Sequence, residues 1–183
     1  MQPLVNRVAA SPLVTIKLDE LAPRRESVDF DLADYLWQGL ALRERDFREA
    51  VRGYDWSALD GKRLCVRCSA DAVIPQWAYM LVASAAAPYA TEVFVGSVAE
   101  AERADFARAA DRLDVETYRD RPVVIKGCSD GREVGPQAYA TIMHRLVGVA
   151  KSVMYGEPCS TVPIYKRRAA ASPAAAPEQV ARE

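Results

Sequence analysis

Hydrophobic positions along this chain follow two rhythms. Leu13-Val14-Thr15-Ile16-Lys17-Leu18 alternates and is rich in β-branched residues, which predicts a strand over 13–18. Leu21 to Glu26 reads as a loop, and Val28-Asp29-Phe30-Asp31-Leu32 fits either an edge strand or a helix entry. Leu32, Tyr35 and Leu36 then share one face, so a short helical stretch over 31–38 is expected, ended by Gly39. Between Leu42 and Gly53 the period is helical, with Phe47, Ala50 and Val51 on one face and mostly charged residues opposite. Asp60-Gly61 marks a turn.

From Arg63 onward the two rhythms take turns. Strands are predicted at 63–68, 92–96 and 122–126. The helix predicted at 75–87 begins with Pro75 in its first turn and is apolar almost all round (Trp77, Met80, Leu81, Val82), which predicts a well-buried element. A helix at 98–113 places Ala101, Phe106, Ala109 and Leu113 inside. A long helix is predicted from Pro136 to about Met154, with Tyr139, Ile142, Met143, Leu146, Val149, Ala150 and Val153 as its buried stripe and Gly156 as its stop. Strands alternating with helices of this length imply parallel pairing. The expected fold is α/β, a three-layer sandwich with a mainly parallel sheet and the N-terminal α+β elements added at its edge. Residues 1–168 are expected to form a single domain, and the alanine, proline and charge of 169–183 a mobile tail.

The chain has 183 residues, half of them hydrophobic, which is one domain's length with enough apolar surface for a core. Its 24 basic and 25 acidic residues lack the basic excess of a nucleic-acid binder. No apolar run reaches the roughly 18 residues that span a membrane, and the N-terminus does not read as a signal peptide. A cytoplasmic protein is expected, in a compartment where thiols stay reduced.

Candidate chemistry comes from the cysteines. Leu64-Cys65-Val66-Arg67-Cys68-Ser69-Ala70-Asp71 is an apolar run ending in a thiol, a hydroxyl and a carboxylate. Val123-Val124-Ile125-Lys126-Gly127-Cys128-Ser129-Asp130 ends the same way, and a third pair, Cys159-Ser160, follows Gly156-Glu157-Pro158. Ligands of open α/β sheets gather at the carboxyl ends of the strands. If the strand at 122–126 lies beside the strand at 63–68, Cys68 and Cys128 meet there. Cys159 then has to fold back from the long helix or arrive across a subunit contact. Three thiolates suit zinc or an iron–sulfur cluster, with Asp71, Asp130, water or a substrate as the fourth ligand. The serine hydroxyls and nearby amides can donate to the sulfurs.

Each candidate has a plainer competitor. Cysteines are among the most buried residues and often only fill space. Cys65 and Cys68 are three apart on a strand and point to opposite faces, so Cys65 reads as core. His144 reads as a surface or interface residue, Asp71 and Asp130 also suit turns or caps, and Trp77, Tyr79 and Met80 suit packing. Lys126, Lys151, Lys166, Arg167 and Arg168 read as a solvated face. No phosphate-binding, zinc-protease or nucleophile-elbow motif is present.

Longer stretches carry a resemblance. Cys68 to Met80, Lys126 to Asp130, Lys151 to Arg167, Asp46 to Glu49 and Asp55-Trp56-Ser57 are together similar to a bacterial family catalogued as domain of unknown function 2480, over about residues 4–168. The resemblance implies thiols at Cys68, Cys128 and Cys159 and a variable residue at Cys65. It leaves His144 and the tail outside the pattern, and it implies a setting of iron–sulfur cluster assembly. The expected function is an accessory metal protein holding an iron–sulfur cluster or zinc, with iron–sulfur assembly proteins as partners, alone or as a homo-oligomer. Two alternatives stay open: a thiol enzyme with Cys68 or Cys128 as nucleophile, and a metal-free interaction module.

Overall fold

A computed structural model describes residues 13–127, 131–157 and 160–168. Among them run the strands β1 (Val14–Lys17), β2 (Ser27–Asp31), β3 (Arg63–Arg67), β4 (Glu92–Val95), β5 (Pro122–Lys126), β6 (Ser152–Glu157) and β7 (Ser160–Lys166). The helices are α1 (Glu44–Gly53), α2 (Gln76–Ala86), α3 (Val98–Arg112) and α4 (Pro136–Leu146). The strands form two sheets, β2-β3-β4 and β1-β5-β6-β7. β3 runs parallel to both neighbours, β5 runs parallel to β6, and β6 and β7 form an antiparallel hairpin. The class is therefore α/β with mostly parallel strands, as the alternation predicts.

Three local expectations change. The stretch at 28–32 is the edge strand β2, and only Leu32–Tyr35 turns helical, as a short 3-10 segment. The helix expected to reach Met154 stops at Leu146, where Gly148 takes a left-handed conformation at φ 83°. The apolar spacing from Val149 to Val153 then belongs to a turn and to β6. Third, β5 does not pair with β3, because the two strands belong to different sheets.

That third change exposes a repeat longer than the Cys-Ser motif. In one copy Asp55 precedes a 3-10 turn (Trp56–Leu59) and accepts from the Ser57 amide at 3.1 Å; in the other Asp114 precedes Val115–Tyr118 and accepts from the Glu116 amide, also at 3.1 Å. Gly61 and Asp120 then both take left-handed φ, at 72° and 60°. β3 and β5 follow, each of five residues, then α2 and α4, each of eleven. The same inward positions are buried on both helices: Ala78, Val82 and Ala86, and Ala138, Ile142 and Leu146. Matching amides close the return to the next strand, Ala90 to the Ala86 carbonyl and Ala150 to the Leu146 carbonyl. Two copies of one β-α-β plan are present.

Contacts divide the chain into two units. The unit of residues 17–113 and 127–142 carries β2-β3-β4. Its core gathers Phe30, Phe47, Val51, Trp56, Leu64 and Val82 among its buried members. Phe30 stacks on Tyr35 and Trp56, and the Trp56 indole donates to the Val51 carbonyl at 2.8 Å. Helix α2 is less buried than its composition predicts, since Met80 is 72% exposed. In α3 a capping box of Ser97 and Glu100 fixes the start, and Ala101, Asp105, Phe106 and Ala110 face inward, while Ala109 and Leu113 are half-buried.

Asp105 is inward because Arg63, at the first position of β3, is only 1% exposed and donates to it at 2.5 Å. Arg108 donates to the other Asp105 oxygen at 2.5 Å and pairs with Glu92 at 3.1 Å. Burial pushes the Asp105 carboxyl up, but hydrogen bonds from Arg108 and Arg63 outweigh it and hold the group below the usual carboxylate value.

The second unit takes residues up to 16, 114–126 and those from 143 onward. Val123, Val124, Ile125, Leu146, Ala150 and Val153, on β5, the end of α4, the turn after it and β6, are fully or nearly fully buried in it. Tyr165 on β7 accepts from the Gly148 amide at 3.2 Å, which ties the turn after α4 to the hairpin. Arg167 donates to the Asp120 carboxylate, which holds that group below its ordinary value.

Candidate functional site

The Cys68 turn begins where β3 ends. In the parallel register Asp31 lies opposite Arg67 and Asp29 opposite Cys65. Residues two apart on a strand share a face, so Asp29 and Asp31 point the same way while Phe30 enters the core. Arg67 uses its planar fork on both carboxylates. It donates to Asp29 at 2.8 and 2.9 Å, and pairs with Asp31 at 3.0 Å. Asp31 also accepts from the Ser69 amide at 2.9 Å and from the Ala33 amide at 3.0 Å. Burial pushes the Asp31 carboxyl up. The donors on Ser69 and Ala33, with the Arg67 charge, reverse that and leave it below the ordinary value.

The turn itself is tight. The Ala70 carbonyl accepts from the Ala72 amide at 2.9 Å and from the Cys68 Sγ at 3.5 Å. Cys68 is half-buried and rests against the Phe30–Trp56 core, while Ser69 and Asp71 are exposed. Cys65 is fully buried, as its strand position predicts, and burial pushes its thiol up. His144 is exposed on α4. Trp77 and Tyr79 pack at the core's margin, whereas the exposed Met80 does not.

The second copy presents its strand ends differently. β5 and β6 are parallel neighbours paired from Pro122↔Ser152 to Ile125↔Tyr155. Just past that register Lys126 and Glu157 form an ion pair at 3.2 Å. Cys128 and Cys159 each come two positions further along the chain, and with Ser129 and Asp130 they lie outside the described residues. Of the five expected ligands, then, Cys68 and Asp71 are described. Among the described residues no group of three or more His, Cys, Asp or Glu side chains is placed to hold a metal ion.

The family of proteins described as a protein of unknown function (DUF2480) matches residues 2–167. The chain belongs to that family. No curated protein and no solved structure matches it. The match takes in both β-α-β copies and the sequence positions Cys68, Cys128 and Cys159.

Asp29, Asp31 and Arg67 are absent from the candidates read in the sequence. The signal was present in Asp29-Phe30-Asp31, two carboxylates flanking a core phenylalanine. It becomes meaningful only once β2 is known to pair with β3. No helix among the described residues is long and apolar enough to cross a membrane.

Proposed function

We propose that this is a cytoplasmic metal protein whose thiolates Cys68, Cys128 and Cys159 hold an iron–sulfur cluster or zinc, with Asp71 or Asp130 available at a remaining position. Its role is accessory, in assembling or delivering clusters with iron–sulfur assembly proteins as partners, as a single chain or a homo-oligomer. The observation that carries this reading is the Lys126–Glu157 ion pair at 3.2 Å. It ties together the carboxyl ends of two adjacent parallel strands, and Cys128 and Cys159 stand two residues beyond each end. Cys68 is included because its Cys-Ser-x-Asp stretch repeats the thiol, hydroxyl and carboxylate of Cys128-Ser129-Asp130 in the sequence. The donor set fits the chemistry: thiolates with a carboxylate or an open position suit zinc, and cysteine-rich sets suit iron–sulfur clusters.

The test is metal and acid-labile sulfide analysis of protein purified anaerobically, beside Cys68→Ser, Cys128→Ser and Cys159→Ser. Near-stoichiometric iron with sulfide, or zinc alone, is expected in the parent and is lost in the three variants. Cys65→Ser keeps its metal. Parent protein that stays metal-free after reconstitution with iron and sulfide, and after zinc addition, overturns the reading.

A further inference from the structure

The Cys68 turn is held from outside by a carboxylate that plays no part in the proposed ligand set. Asp31 takes the Ser69 amide at 2.9 Å, and the Ser69 hydroxyl also donates to it. Its other oxygen lies 3.0 Å from Arg67, whose guanidinium is anchored in turn on Asp29. Ser69 is the residue between the thiol and the carbonyl that the thiol touches. With the Ser69 amide fixed, the Ala70 carbonyl stays within 3.5 Å of the Cys68 Sγ, and that contact uses the thiol's own proton. A metal ion or an electrophile needs the sulfur free of that carbonyl, because the thiolate is the ligand and the nucleophile.

We propose that Asp31 is a positioning residue for Cys68: with Arg67 behind it, it latches the Ser69 amide and holds the thiol against the Ala70 carbonyl until the turn opens. The proposal rests on Cys68 being the functional thiol, and it deepens that reading by naming what gates access to it. Asp31 has a second duty, since it accepts the Ala33 amide at the start of the 3-10 turn after β2. Asp55 provides a control. It has the same kind of capping bond, to the Ser57 amide at 3.1 Å, and no bond to the Cys68 turn.

The experiment measures the rate at which iodoacetamide labels each thiol in folded, metal-free protein. Trypsin cuts after Arg63, Arg67, Lys126 and Lys151, so each of the 4 cysteines falls in its own peptide and is timed separately by mass spectrometry. Asp31→Ala is expected to speed Cys68 labelling by roughly fivefold or more, the scale of losing one hydrogen bond to a charged group. Cys128 and Cys159 keep their rates. Asp31→Asn, which retains an acceptor for both amides, returns Cys68 most of the way to the parent rate. Asp55→Ala, which removes a cap without touching the latch, leaves it unchanged. Cys68 labelling at the parent rate in folded Asp31→Ala protein overturns the proposal, as does equal acceleration in Asp55→Ala. If Asp31→Ala does not fold, amide hydrogen exchange on the parent decides instead. Slowed exchange at Ser69, an exposed residue, is expected, and unprotected exchange there sinks the latch. Metal content is measured separately, so metal-free protein removes the ligand reading and leaves the latch standing, while unchanged labelling does the reverse.

Discussion

The two β-α-β copies share a backbone plan and differ in what they place at its ends. In the first, β3–α2–β4, strand β3 begins at a buried cation, Arg63, answered by Asp105, and ends at Arg67, which pairs with Asp29 and Asp31 of β2. The second, β5–α4–β6, begins at Pro122, finishes at the Lys126–Glu157 pair, and carries the additional strand β7. What the copies keep is an aspartate before a 3-10 turn, a left-handed residue before the strand, and a buried residue at every fourth place on the helix. Those features set backbone conformation. Charge is where the copies part, so charge is where each end acquires its own chemistry.

The deepest contrast is Arg63 against Pro122, and it should give the largest effect. Asp105→Ala removes the nearer partner of the buried Arg63 and leaves it only the Glu92 carboxylate at 3.6 Å, and breaking a buried pair typically costs about 3–5 kcal/mol. Urea unfolding should register that loss; a loss under about 1 kcal/mol would mean the first copy stands without its charged base, like the second. The pair also has a pH signature. The folded Asp105 value lies below the unfolded one, so its contribution is complete above the unfolded value near pH ~3.9 and disappears as pH falls through the folded value. The parent's urea midpoint should therefore drop more steeply than that of Asp105→Asn below about pH 4.

The helix interiors offer the next contrast. Ala86 and Leu146 hold the same place on α2 and α4, and both are fully buried. Leu146→Ala removes a core side chain and should cost about 2–5 kcal/mol. Ala86→Leu writes the second copy's residue into the first and should cost about 1–3 kcal/mol by overpacking. A neutral Ala86→Leu variant would show that the two helices sit over interchangeable space.

How far the sequence revealed this arrangement follows from the range of the forces involved. Helix α3 was legible to within a residue because the spacing of its apolar positions, Ala101 and Phe106 among them, is a local signal. The end of α4 was misread because Leu146, Val149, Ala150 and Val153 continue a helical spacing past Gly148, and a left-handed turn overrides that spacing. Strand order was not legible, since nothing near β3 or β5 says which neighbour each will find. The Asp31 latch was hidden for the same reason: the carboxylate and the Ser69 amide are 38 positions apart in the chain. Cys68 and its turn were visible from the thiol, hydroxyl and carboxylate in a row.

A smaller contrast sits just after β4 and near the end of β6, where Gly96 and Gly156 occupy the same place in the repeat with φ of 139° and 122°. An alanine at Gly96 meets the Phe94 ring at 2.8 Å, a side chain that can turn aside. At Gly156 it meets the Ser160 carbonyl oxygen at 2.6 Å, backbone held by the β6–β7 pairing. Both substitutions carry backbone strain of about 1–3 kcal/mol. Gly156→Ala should lie at the upper end and Gly96→Ala at the lower. The reverse order in urea titrations would mean that the hairpin yields more readily than the ring.

The smallest expected effect tests what the copies have in common. Asp55→Ala and Asp114→Ala each remove one capping acceptor, at 3.1 Å from an amide in both cases. The loss should be about 1 kcal/mol at either site. Asp55 also accepts the Ser57 hydroxyl at 2.5 Å, but on an exposed surface where water replaces that bond. Near-equal losses are therefore expected in spite of the additional contact. A clear excess at Asp55 would show that the hydroxyl bond contributes to the first copy, and that the copies differ in how they fix their turns as well as in the charges at their ends.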